Sequence, residues 1–224
     1  MLSGSPCGDR AAVQRMLDSP RTSPHTQHMT LADKITTLRL ILAPLFFIIY
    51  FLPGLPVPWF ENAAPWTVPA LWALFIIAEL TDMFDGMAAR KRKEVGDFGK
   101  LYDPFADTLT QITLFLCFVI DGIFPAALFL VILYREFGVQ FVRNLMLRKG
   151  VAMGARMGGK IKTVFYILAA AAALLAVSFR RLGGEEPAYT AIKTAALIIF
   201  CVSALISVIS FADYLFVYKK NNKK

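Results

Sequence analysis

Long apolar runs constrain this chain more than any other feature. Six of them follow one another, each near the length needed to cross the hydrocarbon core of a bilayer. Their approximate bounds are Ile35–Leu52, Val68–Phe84, Pro104–Ile120, Pro125–Leu147, Ile161–Phe179 and Tyr189–Val217. Hydrophobic residues make up 57% of the sequence, which is high for a soluble domain. The sequence therefore predicts an all-α membrane protein, a bundle of six transmembrane helices.

The segment before the first apolar run has a different composition. Residues 1–28 are rich in Ser, Pro, Arg and His, and neither a secretory signal nor a spanning helix fits there. We expect a disordered N-terminal extension, and Met1 and Met29 both stay open as the start of translation. The membrane domain is then expected over residues 29–218, followed by a basic tail at residues 219–224.

Basic residues flank the apolar runs and give the chain a net charge of +8. They concentrate in the second and fourth connections and at the C-terminus, and such loops stay on the cytoplasmic side of a membrane. This pattern predicts a protein of the inner (cytoplasmic) membrane with both termini in the cytoplasm. It also suits anionic lipid head groups, so a nucleic-acid partner is not expected. Near the opposite face, Glu185 and Glu186 are expected to offset part of the charge of Arg180 and Arg181.

Four aspartates fall at the ends of the second and third predicted helices. Asp82 and Asp85 are three residues apart, so they share one helical face. Asp103 and Asp107 are four apart and share a face of the next helix, which a short connection makes an antiparallel neighbour. Four carboxylates beside hydrocarbon repel one another unless cations neutralise them. Their oxygen ligands favour Mg²⁺ or Mn²⁺.

Small residues accompany the aspartates. Gly86, Ala89 and Gly99 are small where a bulky side chain would block close approach, as expected if a nucleotide lies against both helices. Arg90 adds a cation at the same place. The alternative is structural: the aspartates cap helices, the small residues pack helices, and Arg90 is an interfacial cation.

This spacing resembles the signature of the CDP-alcohol phosphotransferase family at every defined position. The signature reads Asp, two residues, Asp-Gly, two residues, Ala-Arg, eight residues, Gly, three residues, Asp, three residues, Asp. The resemblance implies a six-helix bundle, a homodimer, an active site facing the cytoplasm, and two metal ions held by Asp82, Asp85, Asp103 and Asp107. It also implies that Asp107 is the general base for the attacking hydroxyl. The residues implied around the CDP group are Gly86, Ala89, Arg90, Gly99, Thr36 and Arg39.

Four segments, 97–100, 103–107, 135–137 and 159–163, resemble the family members that transfer the phosphatidyl group of CDP-diacylglycerol to glycerol 3-phosphate. That acceptor is a dianion, so it requires a cationic pocket. The available cations in or beside the apolar helices are Arg135, Arg143, Lys160 and Lys162.

Two departures from the family pattern leave alternatives open. Asp33 stands where the family commonly has Asn, and Thr108 stands where the glycerol-phosphate enzymes usually have Lys. Inositol phosphate, inositol or serine as acceptor therefore stay as alternatives. An ion-coupled transporter is the alternative from another class, although its acids usually lie near the bilayer midplane on several helices.

The orientation leads to a first prediction. Single cysteines placed in Lys91–Asp97 and Arg148–Gly158 should react with a membrane-impermeant thiol reagent only from the cytoplasmic face, because both segments carry the basic residues that fix topology. Inside-out and right-side-out vesicles provide the two arms of the measurement. Labelling from the outer face would overturn the orientation.

Overall fold

The structure is a computed structural model that describes residues 31–56, 63–92, 97–148 and 157–221. The side chains of residues 31–33, 82–92, 97–101, 157 and 221 lie outside the description, as do the N-terminal extension expected at residues 1–28 and the two basic connections. Within the described part, the chain forms six α-helices. They are α1 (Leu31–Phe51), α2 (Ala64–Arg92), α3 (Asp97–Ile120), α4 (Ala126–Arg148), α5 (Met157–Arg181) and α6 (Glu186–Asn221). The prediction of an all-α protein is confirmed.

Among the described helices, α1, α2, α3, α5 and α6 are long and apolar enough to cross a membrane. At 23 residues α4 is also long enough, about 34 Å, but each of its 18-residue stretches contains Arg135, Glu136 and Arg143. Arg135 and Glu136 are only 4% and 7% exposed, so α4 turns this charge into the bundle and away from lipid. The chain is a multi-pass membrane protein in which α4 carries the buried charge.

The ends of the helices differ in places from the bounds read from hydropathy. The second helix was expected from Val68, after a proline-rich loop, but α2 begins at Ala64 and includes Pro69. Pro65, in the first turn, lacks only an N–H that has no partner there, whereas Pro69, one turn further on, removes one backbone hydrogen bond of the helix. At the other end of the chain, α6 runs to Asn221 and includes the first three residues of the expected basic tail.

Two glycines close the turns at the outer end of the bundle, the end away from the basic connections. Gly122 has a φ of 70° and follows α3, and Gly183 has a φ of 78° and follows α5. Only glycine adopts this left-handed conformation without steric cost. The N–H of Ile123 donates to the carbonyl of Phe118 over 2.9 Å and closes the first turn, at Asp121-Gly122.

Aromatic side chains fill the outer half of the bundle. Phe124 stacks on Phe200 with ring centroids 3.9 Å apart. Phe115 meets Phe124, Tyr166 and Phe200 edge to face at 5.8, 5.2 and 5.1 Å. Such edge-to-face pairs add to the stabilisation from burial. Phe115, Phe118 and Phe200 are fully buried, so they form a solid core between the helices.

A polar cluster covers that core at the outer end. The Asp121 carboxylate accepts hydrogen bonds from the Tyr50 hydroxyl at 2.8 Å and from Arg180 Nη2 at 2.5 Å. Arg181 Nη2 donates to the Tyr50 carbonyl at 2.6 Å, and its guanidinium lies over the Tyr50 ring. The counter-ion that the structure gives Arg180 is thus Asp121, brought there by the α3–α4 turn. The cluster joins α1, this turn and α5.

We predict that Asp121→Asn lowers the thermal unfolding temperature in detergent by a few degrees. The variant loses a charge-assisted hydrogen bond worth about 1.5–3 kcal/mol at most, and exposure of Arg180 reduces that value through solvent screening. Thermal melts followed by intrinsic fluorescence provide the measurement. Glu185→Gln is the control that should leave the melt unchanged, and equal melting of the Asp121 variant and the wild type would contradict this role.

Candidate active site

A cavity of about 280 Å³ lies in the half of the bundle opposite the aromatic core, and all six helices contribute to its lining. The lining residues lie in the N-terminal halves of α1 and α5, in the C-terminal half of α6, and around the middle of α2, α3 and α4. On this side of the bundle, α2 to α5 lead to the two basic connections, and α1 and α6 lead to the termini. Six of the residues predicted from sequence line it: Arg39, Asp107, Arg135, Arg143, Lys160 and Lys162.

One wall is built where α1 meets α3. The Thr36 hydroxyl donates to the Asp103 carboxylate, and Arg39 Nη1 forms an ion pair with Asp107. Arg39 is 3% exposed whereas the Asp107 side chain is 47% exposed. The buried guanidinium therefore lies behind the carboxylate and holds it at the cavity surface. Arg39 was predicted beside the CDP group, and among the described side chains it contacts Asp107.

The predicted metal centre lies only partly within the described residues. Asp82, Asp85, Gly86, Ala89 and Arg90 belong to α2 and Gly99 to α3, but their side chains lie outside the description. Among the described side chains, no group of three or more His, Cys, Asp or Glu residues is arranged to bind a metal. Asp103 and Asp107, one turn apart on α3, offer only oxygen ligands. That donor chemistry fits a hard divalent cation such as Mg²⁺ or Mn²⁺.

The opposite wall carries two cations that face the cavity. Arg143 Nη2 donates to the Tyr214 hydroxyl at 2.7 Å, and its guanidinium lies 5.2 Å from the centre of the Tyr214 ring. Its Nε is buried without a hydrogen-bond partner among the described atoms. Lys160, in the first turn of α5, is exposed at the cavity edge. Both side chains have donors available for an anion.

The other two predicted cations are more deeply placed. Arg135 Nη1 and Lys162 Nζ donate to the same oxygen of Glu136, at 2.9 and 2.8 Å. Arg135 also donates to the Ser207 carbonyl at 3.0 Å and to the Ser210 hydroxyl at 3.1 Å. The four cations predicted from sequence therefore form one wall. They differ in how many of their N–H donors already bond to other protein groups.

Several lining residues were missed by sequence reasoning. Gln140 donates from Nε2 to the Thr108 hydroxyl at 2.6 Å and to the Pro104 carbonyl at 2.9 Å, which ties α4 to α3. Gln111 lines the cavity from α3. An amide side chain inside an apolar helix is energetically costly, so it usually marks a functional position. Both glutamines could have been found from the sequence on that ground. Tyr214 carries no such signal, because tyrosine is common at the ends of spanning helices.

Comparison with known proteins places the chain among membrane enzymes. It belongs to the CDP-alcohol phosphatidyltransferase family, whose model matches residues 29–217. The family predicted from the acidic signature is confirmed. Because the chain is a transferase, an ion-coupled transporter no longer competes as a hypothesis.

Two relatives are similar over most of their length. The CDP-diacylglycerol–glycerol-3-phosphate 3-phosphatidyltransferase of Treponema pallidum is 37% identical over 191 residues, which cover 84% of this chain and 88% of the relative. The Bacillus subtilis protein of the same name is 40% identical over 149 residues, 65% of this chain and 76% of the relative. The roles of individual site residues stay predictions from the sequence.

We predict that Asp107→Asn abolishes turnover while binding of the CDP-linked lipid largely survives. A general base acts in the transition state more than in ground-state binding, and the amide keeps the shape of the side chain. CMP release and lipid-binding assays on the purified protein measure the two effects separately. Asp121→Asn, the same chemical change at the outer end, should leave turnover within about twofold. Near-normal catalysis by the Asp107 variant would refute its role as the base.

Proposed function

We propose that the protein transfers the phosphatidyl group of CDP-diacylglycerol to glycerol 3-phosphate and releases phosphatidylglycerophosphate and CMP. The names of the relatives from Treponema pallidum and Bacillus subtilis support this donor and acceptor. The observation on the structure that carries the proposal is one cavity with an exposed carboxylate, Asp107, on one wall and basic side chains on the other.

The charge of the cavity favours a phosphorylated acceptor. Arg135, Arg143, Lys160 and Lys162 all line it, and Glu136 offsets one of these four cations. Glycerol 3-phosphate carries close to two negative charges at neutral pH, so it gains from such a wall, whereas a neutral alcohol such as inositol would not. Inositol phosphate is the alternative that this argument leaves open.

The arrangement gives each wall a separate task. The acceptor phosphate binds the basic wall, which places the acceptor hydroxyl toward Asp107. Asp107 takes the hydroxyl proton, the hydroxyl oxygen attacks the lipid-linked phosphorus, and the bond from that phosphorus to CMP breaks. Arg39, behind Asp107, keeps the carboxylate in place. Mg²⁺ or Mn²⁺ held by Asp82, Asp85, Asp103 and Asp107 would neutralise the diphosphate and stabilise the departing CMP.

The bundle also suits the two kinds of substrate. CDP-diacylglycerol reaches the site laterally from the bilayer, and the water-soluble acceptor enters from the side of the basic connections. By the positive-inside rule that side is the cytoplasm, which supports a location in the bacterial inner membrane with both termini cytoplasmic. The homodimer expected from family resemblance is part of the same proposal.

Purified protein in nanodiscs, supplied with CDP-diacylglycerol and a panel of acceptors, tests the proposal by CMP release and lipid product analysis. CMP release should be faster with glycerol 3-phosphate than with inositol phosphate, inositol or serine. Excess chelator should stop the reaction, and added Mg²⁺ or Mn²⁺ should restore it. Faster CMP release with another acceptor would refute the assignment, and full turnover in chelator would refute the metal requirement.

We predict that Arg143→Ala or Lys160→Ala raises the apparent KM for glycerol 3-phosphate by roughly tenfold or more. Each substitution removes a charge-assisted contact worth on the order of 1.5–3 kcal/mol. The KM for CDP-diacylglycerol should change far less, because its diphosphate binds at the aspartates. Lys193→Ala, at the outer end of α6, is the matched control. Unchanged KM values for glycerol 3-phosphate would contradict the acceptor role of this wall.

A further inference from the structure

We propose that Glu136 is a positioning residue whose carboxylate fixes the Lys162 ammonium on the basic wall for the acceptor phosphate. This inference rests on the proposed function, because it assigns Lys162 to an anionic acceptor. Glu136 itself lines the cavity, where a bare carboxylate would repel a phosphate. Its surroundings explain why it does not.

Three donors converge on one oxygen of Glu136. Arg135 Nη1 lies 2.9 Å from Oε1, Lys162 Nζ lies 2.8 Å from it, and the Tyr166 hydroxyl donates to it at 3.0 Å. Glu136 is 7% exposed, so these donors replace the water that it has lost. The charge of the carboxylate is therefore balanced by its protein neighbours.

Hydrogen bonds to α6 hold Arg135 and Tyr166 in place, so these two donors to Glu136 do not move when Lys162 moves. Arg135 Nε donates to the Ser207 carbonyl at 3.0 Å, and its Nη2 donates to the Ser210 hydroxyl at 3.1 Å. The Tyr166 hydroxyl also lies 2.8 Å from the Ser207 hydroxyl and shares a hydrogen bond with it. With donors on three of its nitrogens used inside the protein and 4% exposure, Arg135 supports Glu136 as a structural element.

Lysine needs such a support more than arginine does. Its ammonium is a point charge on a flexible four-carbon chain, so its position depends on what it contacts. The Lys162 side chain is 13% exposed, and its ammonium lies 4.7 Å from the centre of the Tyr166 ring. Without Glu136, two cations would share this buried space and repel each other. With it, Arg135, Glu136 and Lys162 carry a net single positive charge whose place is fixed.

The Glu136→Gln variant tests the inference in the nanodisc assay. It keeps the size of the side chain and removes the charge, so the KM for glycerol 3-phosphate should rise about tenfold while the KM for CDP-diacylglycerol stays within about twofold. Asp121→Asn is the matched control, a part-buried acceptor in an ion pair at the outer end. It should lower the unfolding temperature without changing either KM. If Glu136→Gln lowers the unfolding temperature and leaves the KM for glycerol 3-phosphate unchanged, the residue is only structural and the inference fails.

A double-mutant cycle of Glu136→Gln and Lys162→Met shows whether Glu136 affects acceptor binding through Lys162 or by direct contact with the acceptor. If Glu136 acts through Lys162, the double variant should match Lys162→Met alone within about twofold. Effects that multiply to roughly a hundredfold would show that Glu136 acts by another route and would overturn the inference. Glu136→Asp, which keeps the charge on a shorter arm, should give an intermediate KM and serves if the Gln variant fails to fold.

Measurements on the wild-type protein distinguish failure of this inference from failure of the proposed function. If the wild type releases CMP with another acceptor and not with glycerol 3-phosphate, the proposed function fails. The same cycle is then run with the acceptor that works. Loss of affinity for a phosphorylated acceptor in Glu136→Gln, without further loss in the double variant, would still support the positioning role, whereas an unchanged KM, or a working acceptor that carries no phosphate, would refute it.

Discussion

A carboxylate buried among membrane helices needs cations and hydrogen-bond donors beside it. On α4, Glu136 has these from Arg135, Lys162 and Tyr166, and together the four residues form the Glu136 network. Because Glu136 is only 7% exposed, its donors come from the protein, from α4 itself and from α5, and they are held in turn by α6. The packing of three helices is thereby tied to the position of one charge. The shape of the cavity and its basic wall depend on that network.

The opposite wall follows the same physical rule. Arg39 on α1 is buried behind Asp107, and Thr36 one turn earlier contacts Asp103. Spacings of three residues on α1 and four on α3 bring both pairs into contact along facing helical surfaces. The acids of α3 are thus oriented by α1, a helix outside the signature, so the signature alone does not define the site.

Hydropathy predicted the number and order of helices, because a span must be long and apolar whatever its neighbours are. It placed the start of α2 too late, since prolines at the beginning of a helix look like a loop in sequence. Charge and spacing likewise predicted the cations that line the cavity. They could not predict that Arg39 pairs with Asp107 or that Tyr214 holds Arg143, because such partners are distant in sequence and are chosen by tertiary packing. The sequence shows Glu136 next to Arg135, but its proposed role depends on contact with Lys162 of α5, which the sequence does not show.

The aromatic core that lies directly beyond Tyr166 has a consequence for the membrane itself. Phe115 packs against the Tyr166 ring at the floor of the cavity, and the stacked pair of Phe124 and Phe200 lies behind it. A polar cavity that reached through the bundle would conduct protons and dissipate the gradient that the membrane maintains. With stacked rings closing one end, the protein can hold a charged reaction chamber within the bundle without opening a proton path across the membrane.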